Sequence, residues 1–243
     1  MKKFFGAAMI AGAAVSVAGA AHAQVSANVT LTSDYVFRGL SLSGEDAAIQ
    51  GSMDYAGDLF YAGIWGSSLG SGGTSMELNL YGGITPSFGD LSLDLGVVGY
   101  FYPGADDDTA EFDFFELGAG ASYALTEQLS LGGGVYYTPE NYGETGEATY
   151  LELNGAYGIS DAFELSAAYG SYRISDLDGP LPGSPSDTYN SWNLGASYAY
   201  HGFTLDLRYH DTDVKSGDAI VTNGFVNTAM TDGRVVFSIS RAL

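Results

Sequence analysis

From Gln24 to the last residue, apolar and polar positions alternate in short runs broken by turn residues. A period of two places alternate side chains on opposite faces of a strand. In the first run Val25, Ala27, Val29, Leu31, Tyr35 and Phe37 share one face, and Ser26, Asn28, Thr30, Thr32, Asp34 and Arg38 share the other. The second run sets Ile49, Met53 and Tyr55 against Gln50, Ser52 and Asp54. A third, over 59–67, is less clean, because Phe60, Tyr61, Ile64 and Trp65 occupy both faces. Clean alternation returns over 76–84, 91–102, 115–123 and 129–137, and again over 151–157, 163–172, 191–200, 203–210 and 234–243.

These runs predict about twelve strands, with ten or fourteen left open by the ambiguous 59–67 and 211–232 stretches. Short turns at Gly57, Pro86-Ser87, Thr126-Glu127, Ser160-Asp161 and His201-Gly202 alternate with longer links at 39–46, 67–74, 103–110, 138–147, 174–188 and 211–232. Leu78, Leu117, Leu153 and Leu194 recur in similar settings, a weak repeat of one hairpin.

The expected fold is all-β: a transmembrane antiparallel up-and-down β-barrel. A secreted β-sandwich also alternates, but it turns its apolar face inward. Three features favour the barrel. The runs approach the 9–11 residues that cross a bilayer at a tilt, aromatic residues recur near their ends, and Lys and Arg are almost absent from the apolar faces. Arg241 breaks the apolar face of the last run, with no account in the sequence.

The residues ahead of the pattern, 1–23, read as a cleaved signal peptide. Lys2 and Lys3 open it, a small apolar stretch follows, and Ala21-His22-Ala23 supplies the cleavage site. Residues 24–243 then form one barrel domain, placed in the outer membrane of the cell. Without Lys2 and Lys3, 6 basic residues face 29 acidic ones, a balance of −23. That charge excludes nucleic acid as a partner, since phosphates attract Lys and Arg. With Tyr 18, Phe 13 and Gly 35, the composition is unlike that of a solvated acidic tail. The chain has no cysteine, so disulfides and thiolate metal sites play no part.

Ser26-Ala27-Asn28-Val29-Thr30-Leu31-Thr32-Ser33-Asp34-Tyr35-Val36-Phe37-Arg38-Gly39 resembles the opening signature of the TorF family of porin-like proteins. The likeness continues into 41–55 and the aromatic segment Phe60-Tyr61-Ala62-Gly63-Ile64-Trp65. It implies an outer-membrane barrel of a Gram-negative bacterium and says little about a solute. The sequence departs from the common barrel ending, an aromatic residue, by closing on Leu243.

The polar face of such a barrel lines a lumen. On it fall Asp34, Arg38, Asp54, Glu77, Asp94, Glu116, Glu152, Glu164, Asp206, Arg208 and Arg234, the candidate pore-lining set. Acids facing a few arginines set a field that chooses among ions, and here it favours cations. The bland alternative is that these charges pair and fill a closed interior. Asp34 and Arg38, four residues apart on one strand, would sit roughly 13 Å apart at ~3.4 Å per residue. Each then looks to a neighbouring strand, with Asp54 and Arg234 as the expected partners.

No phosphate loop, zinc motif or catalytic constellation is evident, and no cofactor is expected. His201 falls in a short turn, and His210 shares a face with Asp206 and Arg208 near a rim. The acidic run Asp106-Asp107-Asp108 lacks the spacing of a calcium loop. The leading expectation is thus a non-enzymatic porin-like channel for small hydrophilic solutes or ions, with cation preference. Its partners are outer-membrane lipids and those solutes. The alternative is a closed barrel with an enzymatic or adhesive rim.

Overall fold

The computed structural model describes residues 24–70, 74–105, 111–176, 187–222 and 226–243. The expected signal peptide and the Asp106-Asp107-Asp108 run lie outside the described residues. Twelve long strands carry the fold: β1 (Gln24–Thr32), β2 (Ala48–Ala56), β3 (Phe60–Ser68), β4 (Met76–Ile84), β5 (Leu91–Phe101) and β6 (Phe114–Ala124). They continue as β7 (Leu129–Thr138), β8 (Ala148–Gly158), β9 (Phe163–Ile174), β10 (Asp187–Tyr200), β11 (Phe203–Thr212) and β12 (Arg234–Ala242). Each pairs antiparallel with the next, and β12 closes on β1 in the register Asn28↔Ala242 to Thr32↔Ser238. Closure leaves no unpaired sheet edge, which is the condition for a sheet to cross hydrocarbon. Leu243 extends the seam, its N–H donating to the Ala27 carbonyl at 2.9 Å.

The alternation decides which side of the wall each residue takes. Leu31, Met53, Leu80, Leu117, Leu153, Leu194, Leu207 and Val235 all point out and are exposed, Leu153 at 69%. An apolar exterior of this extent is unlike that of a soluble monomer, which rarely exposes more than a few hundred Å² in one patch. Tyr55, Phe60, Tyr123, Tyr157, Tyr198 and Tyr200 ring the terminal end of that band. The mixed third run resolves by parity: Phe60 and Ile64 face out, while Trp65 is buried inside and Tyr61 reaches an interior carboxylate. Arg241 does face out, and its guanidinium carbon lies 4.7 Å from the Phe203 ring centroid at the terminal end. A cation on an aromatic face suits an interfacial position.

The core lies inside the barrel and at its loop end. Leu40, Val98, Tyr100, Tyr136, Tyr150, Tyr172, Ile174 and Tyr189 cluster there with Ile220 and Val226. Two links between strands supply part of it. The link over 213–233 folds into a helical turn, Ala219–Thr222, and a 3₁₀ turn, Thr228–Met230, and buries Ile220 and Val226.

The other is the link between β1 and β2, and it corrects the expected first strand. β1 ends at Thr32 and does not run on to Arg38. Val36–Phe37 and Leu40–Ser41 form a small ladder of their own, turned at Arg38 (φ +48) and Gly39 (φ +86). The period-two pattern is real, but it belongs to a second, inward hairpin. Tyr35 and Phe37 consequently sit inside, against the expectation of an outer face. A side chain on Gly39 would put its Cβ 2.5 Å from Thr212 Cγ2 and 2.8 Å from Ser191 Cβ, so the hairpin tip presses against β10 and β11.

Candidate functional site

The hairpin carries Arg38 across the lumen to the wall opposite its own root. Its Nη2 donates to both carboxylate oxygens of Glu116 on β6, at 2.7 Å each. The two side chains are 7% and 4% exposed. The guanidinium carbon lies 4.3 Å from the ring centroid of Tyr150, 4.8 Å from Tyr172, 5.5 Å from Tyr136 and 4.7 Å from Phe37. Desolvated contacts of this kind are each worth about 2 kcal/mol. The Tyr189 hydroxyl fixes the backbone by donating to the Arg38 carbonyl at 3.1 Å.

The rings form a row because the register brings them together. Tyr136 on β7 pairs with Tyr150 on β8, Tyr150 with Tyr172 on β9, and Tyr172 with Tyr189 on β10. Successive ring centroids are 6.0, 5.9 and 5.8 Å apart. Gly170 makes room for one of them, since a Cβ there would fall 2.0 Å from the Tyr150 hydroxyl.

Around the root of the hairpin, Asp34 accepts from the Ser41 and Ser43 hydroxyls at 2.7 Å and from Arg234 Nη1 at 2.9 Å. The expected Asp34–Arg234 pairing therefore forms. Arg38 takes Glu116 instead of Asp54, which stands opposite Ser26 toward the terminal end of the barrel and accepts from Tyr81 there. Tyr35, on the same segment, donates to Glu77 at 3.2 and 3.3 Å. Burial, reinforced by the Glu77 carboxylate, holds the Tyr35 phenol well above its ordinary value, so it remains a donor.

The remaining expected residues line the interior wall. Asp94 accepts from the Tyr61 hydroxyl at 2.8 Å. Asp54 accepts from Tyr81 and from Ser52. Glu152 accepts from Tyr150 at 3.3 Å and from Asn154 at 2.8 Å. Arg208 pairs with Asp206 at 3.1 Å and donates to Asn193 and Ser166. Glu164 is half-buried on β9. Thus the structure gathers Arg38 and Glu116 into one cluster, Asp34 and Arg234 into a second, and Asp206 and Arg208 into a third. Asp54, Glu77, Asp94 and Glu152 take tyrosine, serine and amide donors in place of a cation.

Alternation puts Tyr81, Tyr100, Tyr136 and Tyr172 on the polar face, and neither they nor Tyr150 and Tyr189 stand among the expected site residues. A signal was present: Tyr150 has the parity of Glu152, and Tyr189 that of Asn193. Among the described residues the arrangement sets carboxylates against tyrosine, amide and arginine donors and places no nucleophile–base pair. His210 lies between Asn193 and Arg234 in the ladder, and His201 packs on Tyr200 in a turn. Among the described residues, no group of three or more His, Cys, Asp or Glu is placed to hold a metal ion.

A sequence family described as "Bacterial protein of unknown function (Gcw_chp)" matches residues 16–243. The chain belongs to the Gcw_chp family. No curated protein matches this Gcw_chp chain in sequence. Its fold, a closed barrel of twelve antiparallel strands, is that of outer-membrane porins. It is similar to the NanC porin at TM-score 0.55 and 11% identity, over 89% of this chain and 98% of that one. It is similar to the KdgM porin, in complex with disordered oligogalacturonate, at TM-score 0.54 and 8% identity, over 90% and 98%. Salmonella typhi OmpF in complex with daunomycin aligns at TM-score 0.51 and 8% identity, over 91% and 97%.

Proposed function

We propose that this Gcw_chp protein is an outer-membrane channel for small hydrophilic solutes, with a preference for cations, gated by the 33–46 segment. The resemblance of its first strands to TorF-type proteins supports an outer-membrane setting reached through a cleaved signal. The observation that carries the reading is the interior. Among the described residues, Asp34, Asp54, Glu77, Asp94, Glu116, Glu152, Glu164 and Asp206 outnumber the interior arginines Arg38, Arg208 and Arg234 within an apolar-coated barrel. Confined between low-dielectric walls, that excess of carboxylates concentrates cations and repels polyanions. The oligogalacturonate held by the KdgM porin is a polyanion, so the solute class here differs.

A second reading keeps the barrel shut, and the Arg38–Glu116 closure favours it. Single-channel current of the refolded chain in a planar bilayer with a KCl gradient separates the two. Stepwise openings with a cation-selective reversal potential are expected, and they weaken when Asp54, Asp94, Glu152 and Glu164 are neutralised together. Replacing His210 leaves the current unchanged. Absence of current from both wild type and Arg38→Ala, with heat-modifiable gel mobility showing folded barrels, overturns the channel reading.

A further inference from the structure

Most of the cage around Arg38 belongs to the wall. Glu116, Tyr136, Tyr150 and Tyr172 stand on β6 to β9, and only Phe37 travels with the hairpin. If the hairpin withdraws, a buried carboxylate flanked by three aromatic faces is left behind. Arg208 and Arg234, the other interior arginines of the candidate set, are engaged by Asp206 and Asp34 and do not replace the lost charge. The Tyr100 hydroxyl, 3.4 Å from Glu116, is a neutral donor only. Opening therefore strands a buried charge unless the incoming solute brings a cation. A guanidinium fits best, being planar, weakly hydrated, rich in donors and suited to stacking on rings.

We propose that the Arg38 cage is a binding site for guanidinium-bearing solutes, occupied at rest by the chain's own arginine, and that exchange of Arg38 for such a solute opens the barrel. This rests on the channel reading for the opening, although the binding site does not need it. The backbone at Arg38 is held in the left-handed region (φ +48) by the contacts around it, so loss of the side chain's partners also releases its conformation.

Methylguanidine is the probe, with NaCl at equal concentration as the control. Added to wild-type channels in a bilayer, it is expected to raise open probability about tenfold over NaCl. Arg38→Ala channels are open from the start and do not respond. Glu116→Gln channels lose the response. Calorimetric titration of the detergent-folded wild type reads binding without conduction. Saturable uptake of methylguanidine that Glu116→Gln abolishes is expected, with Tyr150→Leu as a second variant that leaves every charge in place and weakens uptake. Equal responses to NaCl and methylguanidine, or uptake unchanged in both variants, overturn the proposal even where KCl currents are normal. Saturable, Glu116-dependent uptake in a barrel that never conducts upholds the site and removes the channel reading instead.

Discussion

Toward the chain termini the interior wall carries Ser26, Asn28, Ser122, Ser130, Ala156, Ser166 and Ser240, all half-buried; toward the loops it carries Tyr100, Tyr136, Tyr150, Tyr172 and Tyr189, all buried, with a hairpin laid among them. The same twelve strands and the same apolar exterior bound both halves. Eight strands are few enough for side chains to fill a barrel, and sixteen leave a water channel. At twelve, the wall decides locally. Small residues leave much of the terminal half roomier, with Tyr61 and Tyr81 the large rings turned in there, whereas closing the loop half takes a row of large rings and an inserted piece of chain. Closure of the loop half is thus a matter of which residues occupy the inward parity of β5 to β10, plus the links that fold in.

The largest test of this contrast is the charge pair in the closed half. Removing one partner of a buried ion pair costs about 3–5 kcal/mol, because the other charge is left unpaired. Arg38→Ala and Glu116→Ala are each expected to lower stability by that order in urea titrations of the detergent-folded barrel. Arg38→Met with Glu116→Leu removes both charges and is expected to cost far less. If the double variant is as unstable as either single one, the closed half owes its stability to something other than this pair.

Next in size is a steric contrast. Gly170→Ala places a Cβ where the Tyr150 hydroxyl lies, 2.0 Å away. Overpacking of this kind costs about 1–3 kcal/mol. Ser122→Val, at an inward position of the terminal half, is expected to change stability by less than about 0.5 kcal/mol, as substitutions away from packed features do. Equal costs at the two sites, read from urea midpoints, would mean that the terminal half is packed as well.

Much of this was legible in the sequence, because parity alone assigns a side of a closed sheet. Leu153 against Glu152 and Leu207 against Asp206 needed only alternation. The third strand was opaque because tyrosine and tryptophan are at home on either face: Tyr61 goes in to reach Asp94, while Phe60, with nothing to donate, stays out. The inward hairpin was hidden for a different reason. Tyr35, Phe37 and Arg38 keep strand periodicity, and the pattern says nothing about which strand they pair with. The loss of partners after Thr32 is a fact about β2 and β12, whose pairings with β1 stop at Ala48 and Ser238. The tyrosine row was invisible as a row, because cross-strand register depends on the intervening links. The Asp34–Arg234 pair was readable because closure makes the first and last strands neighbours.

The smallest effect is expected at Arg241. Arg241 sits near the mouth of the roomy half but on the outer wall, over Phe203. An exposed cation on a ring contributes about 0.5–1 kcal/mol. Arg241→Ala should lower stability by no more than that. It should also leave the reversal potential where it was, since the low-dielectric wall and screening by salt separate this charge from the lumen. Neutralising Asp94 and Glu152, which face the lumen, should move that potential toward zero. A shift of similar size from Arg241→Ala would mean that charge outside the barrel reaches the permeating ion. The contrast between the two interior halves would then explain closure but not selectivity.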